Sequence, residues 1–168
     1  MSVQSKWSQW GAGGGLLVGL VAPGLARAQS LVGFADIHAA DTAWVMVSTA
    51  LVLLMTLPGV ALFYAGMVRR KNVLNTLAAV LASACVVSVV WFAAGYSLEF
   101  TPGTMWLGGW DRLWFAGLDY QLANAQLSVS HIAPHIPEAA YAMFQLTFAI
   151  ITAALIVGAL VERMRLSA

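Results

Sequence analysis

The sequence predicts an all-α polytopic membrane protein with three transmembrane helices, and three observations carry that reading. The 168-residue chain is 61% hydrophobic and 9% charged, with a mean hydropathy of +0.82, whereas a soluble domain carries about a quarter charged residues. Stretches free of Asp, Glu, Lys, Arg and His run over 43–68, 73–98 and 139–161. At about 1.5 Å per helical residue each is long enough to cross a ~30 Å hydrocarbon core. The charges gather at the ends of these stretches, basic residues at one side and acidic residues at the other.

Residues 1–28 read as a signal peptide. Lys6 gives a positive start, 11–24 is a short glycine-rich apolar run, and Ala26-Arg27-Ala28 offers a small-x-small cleavage site. A retained, uncleaved anchor is the alternative. The mixed lead-in that follows holds Asp36, His38 and Asp41. The first span, about 43–68, contains Pro58-Gly59. Proline removes a backbone donor and clashes with the preceding turn, so a kink or local opening is expected near 56–59. Arg69, Arg70 and Lys71 end the span, and Asn72 starts a tight turn into the second, about 73–98. Trp91 and Tyr96 near its end suit an interfacial aromatic belt. Ser83, Ser88 and the alanines suit close helix–helix approach.

An extramembrane loop is expected over about 100–137. Trp106, Trp110, Trp114 and Tyr120 in it point to a segment folded against the membrane interface, with a short amphipathic helix around 111–125. The third span, about 139–161, carries Phe144 and Phe148 one helical turn apart, then small residues, then Glu162, Arg163 and Arg165.

Charge distribution orients the spans. Without residues 1–28 the chain has six basic residues, and five of them (Arg69, Arg70, Lys71, Arg163 and Arg165) flank one side. Asp36, Asp41, Glu99, Asp111, Asp119 and Glu138 lie on the other, with Glu162 the exception. The positive-inside rule therefore gives three crossings with the N terminus outside and the C terminus inside.

Several chemistries are excluded. No span holds a charged residue, so a proton relay or charged ion site is not visible. There is no nucleophile–base pairing, phosphate-cradling glycine motif or haem spacing, so the chain is read as no enzyme, with no cofactor and no nucleic-acid partner. His131 and His135 are four residues apart, but Pro134 lies between them and no third ligand is near, so no metal site is assigned. Cys85, the single cysteine, reads as a small buried packing residue. Phe144 and Phe148 share a helix face, which suits either packing or cation–π contacts of roughly 0.5–2 kcal/mol each. Desolvating a bare cation costs far more. Aromatic rings can therefore select a small cation at an entrance but cannot carry it through.

ADTAWVMVSTALVLLMTLPGVALFYA at 40–65 continues into GMVRRKNVL, the second span ends in WFAAGYSLEF, and the third runs FQLTFAIITAALIVGALVERMRLSA. In this order the three motifs resemble the first three helices of the ammonium transporter (Amt/Mep/Rh) family, bacterial Amt-type. The resemblance covers about 36–168 apart from the loop. It implies a subunit of about eleven helices with a pore through it, assembled as a homotrimer. By motif position Phe148 matches half of a stacked gate at the outer end of the pore, and Phe144 its neighbour in the external ammonium-binding vestibule. Phe63 and Tyr64 match a pore-lining pair of the first helix. Glu162 and Arg163 match a structural corner rather than a site.

The function implied is transport of ammonium or ammonia across the inner (cytoplasmic) membrane. The partners implied are ammonium and methylammonium, the lipid bilayer, and a PII-type regulatory protein at the cytoplasmic face. The family's twin pore histidines, the second gate phenylalanine and the rest of the vestibule have no counterpart here. The resemblance therefore implies an N-terminal fragment, inactive alone. An ammonium sensor of the same family and a small three-span membrane subunit stand as alternatives.

Overall fold

Without charges to solvate and without water to bond the backbone, an apolar stretch of this length satisfies its peptide groups internally as a helix. The computed structural model describes residues 30–160 and 163; the expected signal peptide, Glu162 and Arg165 lie outside the described residues. Among the described residues three helices are long and apolar enough to cross a membrane: Ala39–Met67, Arg70–Phe100 and Glu138–Leu160, here the first, second and third spans.

Two spans depart from regular α-helix. In the first, α-helix Ala39–Leu54 opens into a wider turn at Met55–Val60, around Pro58, before resuming over Ala61–Met67. Proline has no N–H to give the ladder, so the turn widens instead of closing. Thr56, fully buried there, donates its hydroxyl to the Val52 carbonyl at 2.8 Å. The second span widens similarly at Trp91–Gly95, between Val73–Val90 and Tyr96–Phe100. Here no proline is responsible: a Cβ on Gly95 would lie 3.2 Å from the Trp91 ring, so the indole packs directly on glycine backbone. The third span is uninterrupted.

The third span packs against both others. At the arginine-rich end Ala61, Val80 and Ala154 form a buried cluster flanked by Tyr64, Leu77 and Val157. Small side chains at all three centres let the backbones approach closely. At the opposite end Trp91, Tyr96 and Ala142 form a second cluster with Phe100, Phe115 and Tyr141 around it. The expected belt role of Trp91 and Tyr96 is corrected here, since both rings are buried among helices. Cys85 departs from expectation in the other direction and is exposed on the second span. Ser83 and Ser88 donate to the carbonyls of Val80 and Ala84 at 2.8 Å, so the second span satisfies these two hydroxyls itself.

The lead-in and the loop form a small antiparallel sheet. Strand β1, Ser30–Gly33, pairs with β3, Gln126–Ser130, in the register Leu31 to Ser128 and Val32 to Leu127. Strands β2, Tyr120–Gln121, and β4, Ala133–Pro137, also pair with β3. The amphipathic helix expected around 111–125 is absent; short turns stand at Leu113–Phe115 and Leu122–Asn124. Trp114 and Phe115 both take positive φ, 54° and 57°, which no right-handed helix accommodates. Their rings explain the turn. Phe115 meets Phe92 at 5.2 Å and Tyr96 at 5.4 Å, and Trp114 meets Phe92 at 5.7 Å, all edge-to-face.

Candidate functional site

The third span places Phe144 and Phe148 one turn apart, and their rings meet edge-to-face with centroids 5.0 Å apart and planes at 84°. Such perpendicular pairs are favoured by the ring quadrupoles. Phe148 remains 43% exposed, so its ring is open to a further contact. Two threonines accompany the pair. Thr147 donates to the Phe144 carbonyl at 2.6 Å and is buried, while exposed Thr152 donates to the Phe148 carbonyl at 2.8 Å. A hydroxyl that donates to its own helix keeps its oxygen lone pairs as acceptors. The Phe148–Thr152 step therefore offers a π face and an oxygen acceptor on one exposed helix face.

The span's start is fixed by a buried polar cluster. Glu138, at its first residue and 3% exposed, receives two parallel 2.9 Å bonds from Arg112, from Nε to Oε1 and from Nη2 to Oε2. Tyr96 of the second span donates its hydroxyl to Oε1 at 3.0 Å. Arg112 Nη1 reaches the Gly117 carbonyl at 2.8 Å, and the Arg112 backbone N–H donates to Ser97 Oγ at 3.1 Å. Ser97 in turn donates to the Gly109 carbonyl at 2.8 Å. A carboxylate in the first turn of a helix is also favoured by the helix dipole. Loop, second span and third span thus meet in one network, about one and a half turns above Phe144. Sequence reasoning did not find this cluster. Its signal was present: Arg112 is the one basic residue placed on the acidic side of the charge map.

Phe63 and Tyr64 lie apart from that site, near the arginine-rich end of the first span. Phe63 is 62% exposed, and the two rings are 5.5 Å apart at 54°. Tyr64 crosses Gly158 of the third span so closely that a Cβ there would overlap its ring, and its hydroxyl donates to the Leu155 carbonyl at 3.3 Å. The geometry gives Tyr64 a helix-packing role. Trp91 is the remaining feature of note: its indole N–H is buried with no hydrogen-bond partner among the described residues.

The histidines stand outside the spans. His38 and His135 stack at 4.6 Å with planes 7° apart, and His38 Nδ1 lies 3.0 Å from Asp41 Oδ2. No group of three metal-capable side chains occurs among the described residues.

Residues 43–168 match the model of the Ammonium Transporter Family. A protein of Methanothermobacter thermautotrophicus is 47% identical over 131 residues, 78% of this chain and 31% of its own length. An ammonium transporter of Bacillus subtilis is 41% identical over 128 residues, 76% of this chain and 30% of its own. Among solved structures, Candida albicans Mep2 superposes with a TM-score of 0.66 at 33% identity, over 79% of this chain and 27% of that one. The chain therefore spans about three-tenths of the length of the relatives it matches.

Proposed function

The chain belongs to the ammonium transporter family, and from that premise we propose that the protein moves ammonium or ammonia across a membrane. In this reading Phe148 is the aromatic half of an outer gate and Phe144 its neighbour in the recruiting vestibule. The observation that carries it is the half-exposed Phe148 ring, with the Thr152 oxygen below it, on a helix free of charge from Ala139 to Leu160. Ammonium is small and donates hydrogen bonds in every direction. It is met at this face by a quadrupole worth roughly 0.5–2 kcal/mol and by an acceptor oxygen.

Those two contacts do not replace a hydration shell in an apolar environment. The cation therefore gives its proton to water on the outer side near the aromatic pair, and ammonia alone crosses the apolar pore. Phe63, exposed on the first span, lines the pore towards its inner end. Tyr64 lines the pore beside it, with its ring held against Gly158 of the third span.

The basic residues around Arg69–Lys71 and Arg163 support an orientation with that end in the cytoplasm, in the inner membrane. A homotrimer and a PII-type cytoplasmic partner follow from the family reading. The test is uptake: proteoliposomes holding the full-length protein that contains these three spans accumulate radiolabelled methylammonium faster than protein-free vesicles, and equal rates overturn the proposal.

A further inference from the structure

We infer that the turn 101–108, which follows the second span, is a membrane-interface anchor whose Met105 and Trp106 insert into the lipid leaflet at the Glu138 end of the spans. The inference depends on the chain spanning a bilayer and not on what crosses it. Met105 is 93% exposed and Trp106 88%, with Leu107 and Trp110 exposed beside them. No charged residue occurs from Phe100 to Trp110. Four large apolar side chains on one turn are a poor surface for water, and indole is the ring that partitions best into the headgroup region.

The turn is built to enter a poorly hydrated layer. Thr104 N–H donates to the Leu107 carbonyl at 2.8 Å, the Thr104 hydroxyl to the same carbonyl at 3.0 Å, and Leu107 N–H to the Thr104 oxygen at 3.2 Å. The polar groups of Thr104 and the backbone of Leu107 are thus satisfied within the turn, which lowers the cost of entering poorly hydrated surroundings. It is also held at both ends. Gly108 N–H donates to the Leu98 carbonyl at 2.6 Å, and the Thr101 hydroxyl bonds the Ser97 carbonyl and, at 3.2 Å, the Gly109 carbonyl. A Cβ on Gly108 would lie 2.6 Å from the carbonyl oxygens of Ser97 and Leu98, so glycine is what lets the chain return so close.

The return path sets the depth. Trp106 shares a shallow cleft with Gly95, Leu98 and Thr101, which places it beside the last turns of the spanning helix rather than above them. Exposed Glu99 in the same cleft fixes the limit, because a carboxylate is costly in the hydrocarbon core and comfortable among headgroups. The partner is therefore the lipid interface, with the ring at headgroup level.

The test uses site-directed spin labels on the protein in phosphatidylcholine–phosphatidylglycerol vesicles, in a Cys85→Ala background that removes the single native thiol. Nitroxides at Trp106→Cys and Met105→Cys are expected to collide with oxygen several-fold more often than with a water-soluble nickel complex. More frequent nickel collisions would mean an aqueous turn, and low collision with both would mean cover by protein; either result overturns the inference. The native ring is tested in parallel. Trp106→Phe should remove part of the tryptophan quenching by lipids brominated near the headgroup, and unchanged quenching overturns the proposal in the same way.

Discussion

Arg112 and Glu138, 26 residues apart in sequence, meet through two 2.9 Å hydrogen bonds in a site from which both side chains are almost wholly excluded from solvent. A pair so buried is costly to desolvate, and its geometry has to return that cost through satisfied donors and acceptors. Here it does: Glu138 accepts from Arg112 and Tyr96, and Arg112 donates in addition to Gly117. The pair joins the loop to the helix that carries Phe144 and Phe148.

Glu138→Leu should therefore destabilise the protein by about 3–5 kcal/mol, since it leaves the Arg112 guanidinium buried without its carboxylate. Replacing both residues, Arg112→Met with Glu138→Leu, should restore most of that loss. Thermal unfolding in detergent across the four proteins of the cycle measures it. Additive losses would show that the two side chains do not act as a pair.

Ser97→Ala removes the acceptor of the Arg112 backbone N–H and the donor to Gly109. Ser97 is fully buried, so water cannot replace it. A loss of about 1–3 kcal/mol is expected, the range for stranding a buried polar group. Accelerated amide exchange at Arg112 should accompany it, and unchanged exchange would place the hydroxyl outside the network.

Gly158→Ala introduces a methyl where the Tyr64 ring lies, and overpacking of this kind costs about 1–3 kcal/mol. The same substitution in a Tyr64→Ala background should cost much less, because the obstructing ring is gone. An equal cost in both backgrounds would locate the effect in the helix backbone and not in this contact.

The spans were legible because their signal is local: runs of 23 or more residues without charge, such as 139–161, admit few structures in an apolar solvent. Their irregularities were legible only in part. Pro58 announces its own turn, whereas the widening at Trp91–Gly95, where the indole lies on the Gly95 backbone, has no proline to announce it. The loop was misread because its structure is decided at long range. β3 finds its partner β1 almost a hundred residues earlier, with Ser30 opposite Val129, and Arg112 is drawn to Glu138. That pull, with Phe115 packed on Phe92 and Tyr96, turns the chain left-handed where local periodicity suggested a helix. Of the aromatic residues singled out, motif position identified Phe144 and Phe148 as a pair, and the structure adds their perpendicular contact and the exposure of Phe148. The packing of Tyr64 on Gly158 needed two helices in register and was not visible in either alone.

The most direct test of the transport reading compares methylammonium uptake, with potassium as competitor, in proteoliposomes of the full-length protein that contains these spans, unaltered or carrying Phe148→Ala or Leu155→Ala. Leu155 is an exposed apolar residue of the same helix, two turns further on, and serves as the control for a truncated side chain. The account predicts uptake by the unaltered protein, uptake by Leu155→Ala at a similar rate, and an altered rate or loss of discrimination against potassium in Phe148→Ala. Equal uptake and equal selectivity in all three proteins would contradict a gate at Phe148, and no uptake above protein-free vesicles in any of them would contradict transport itself.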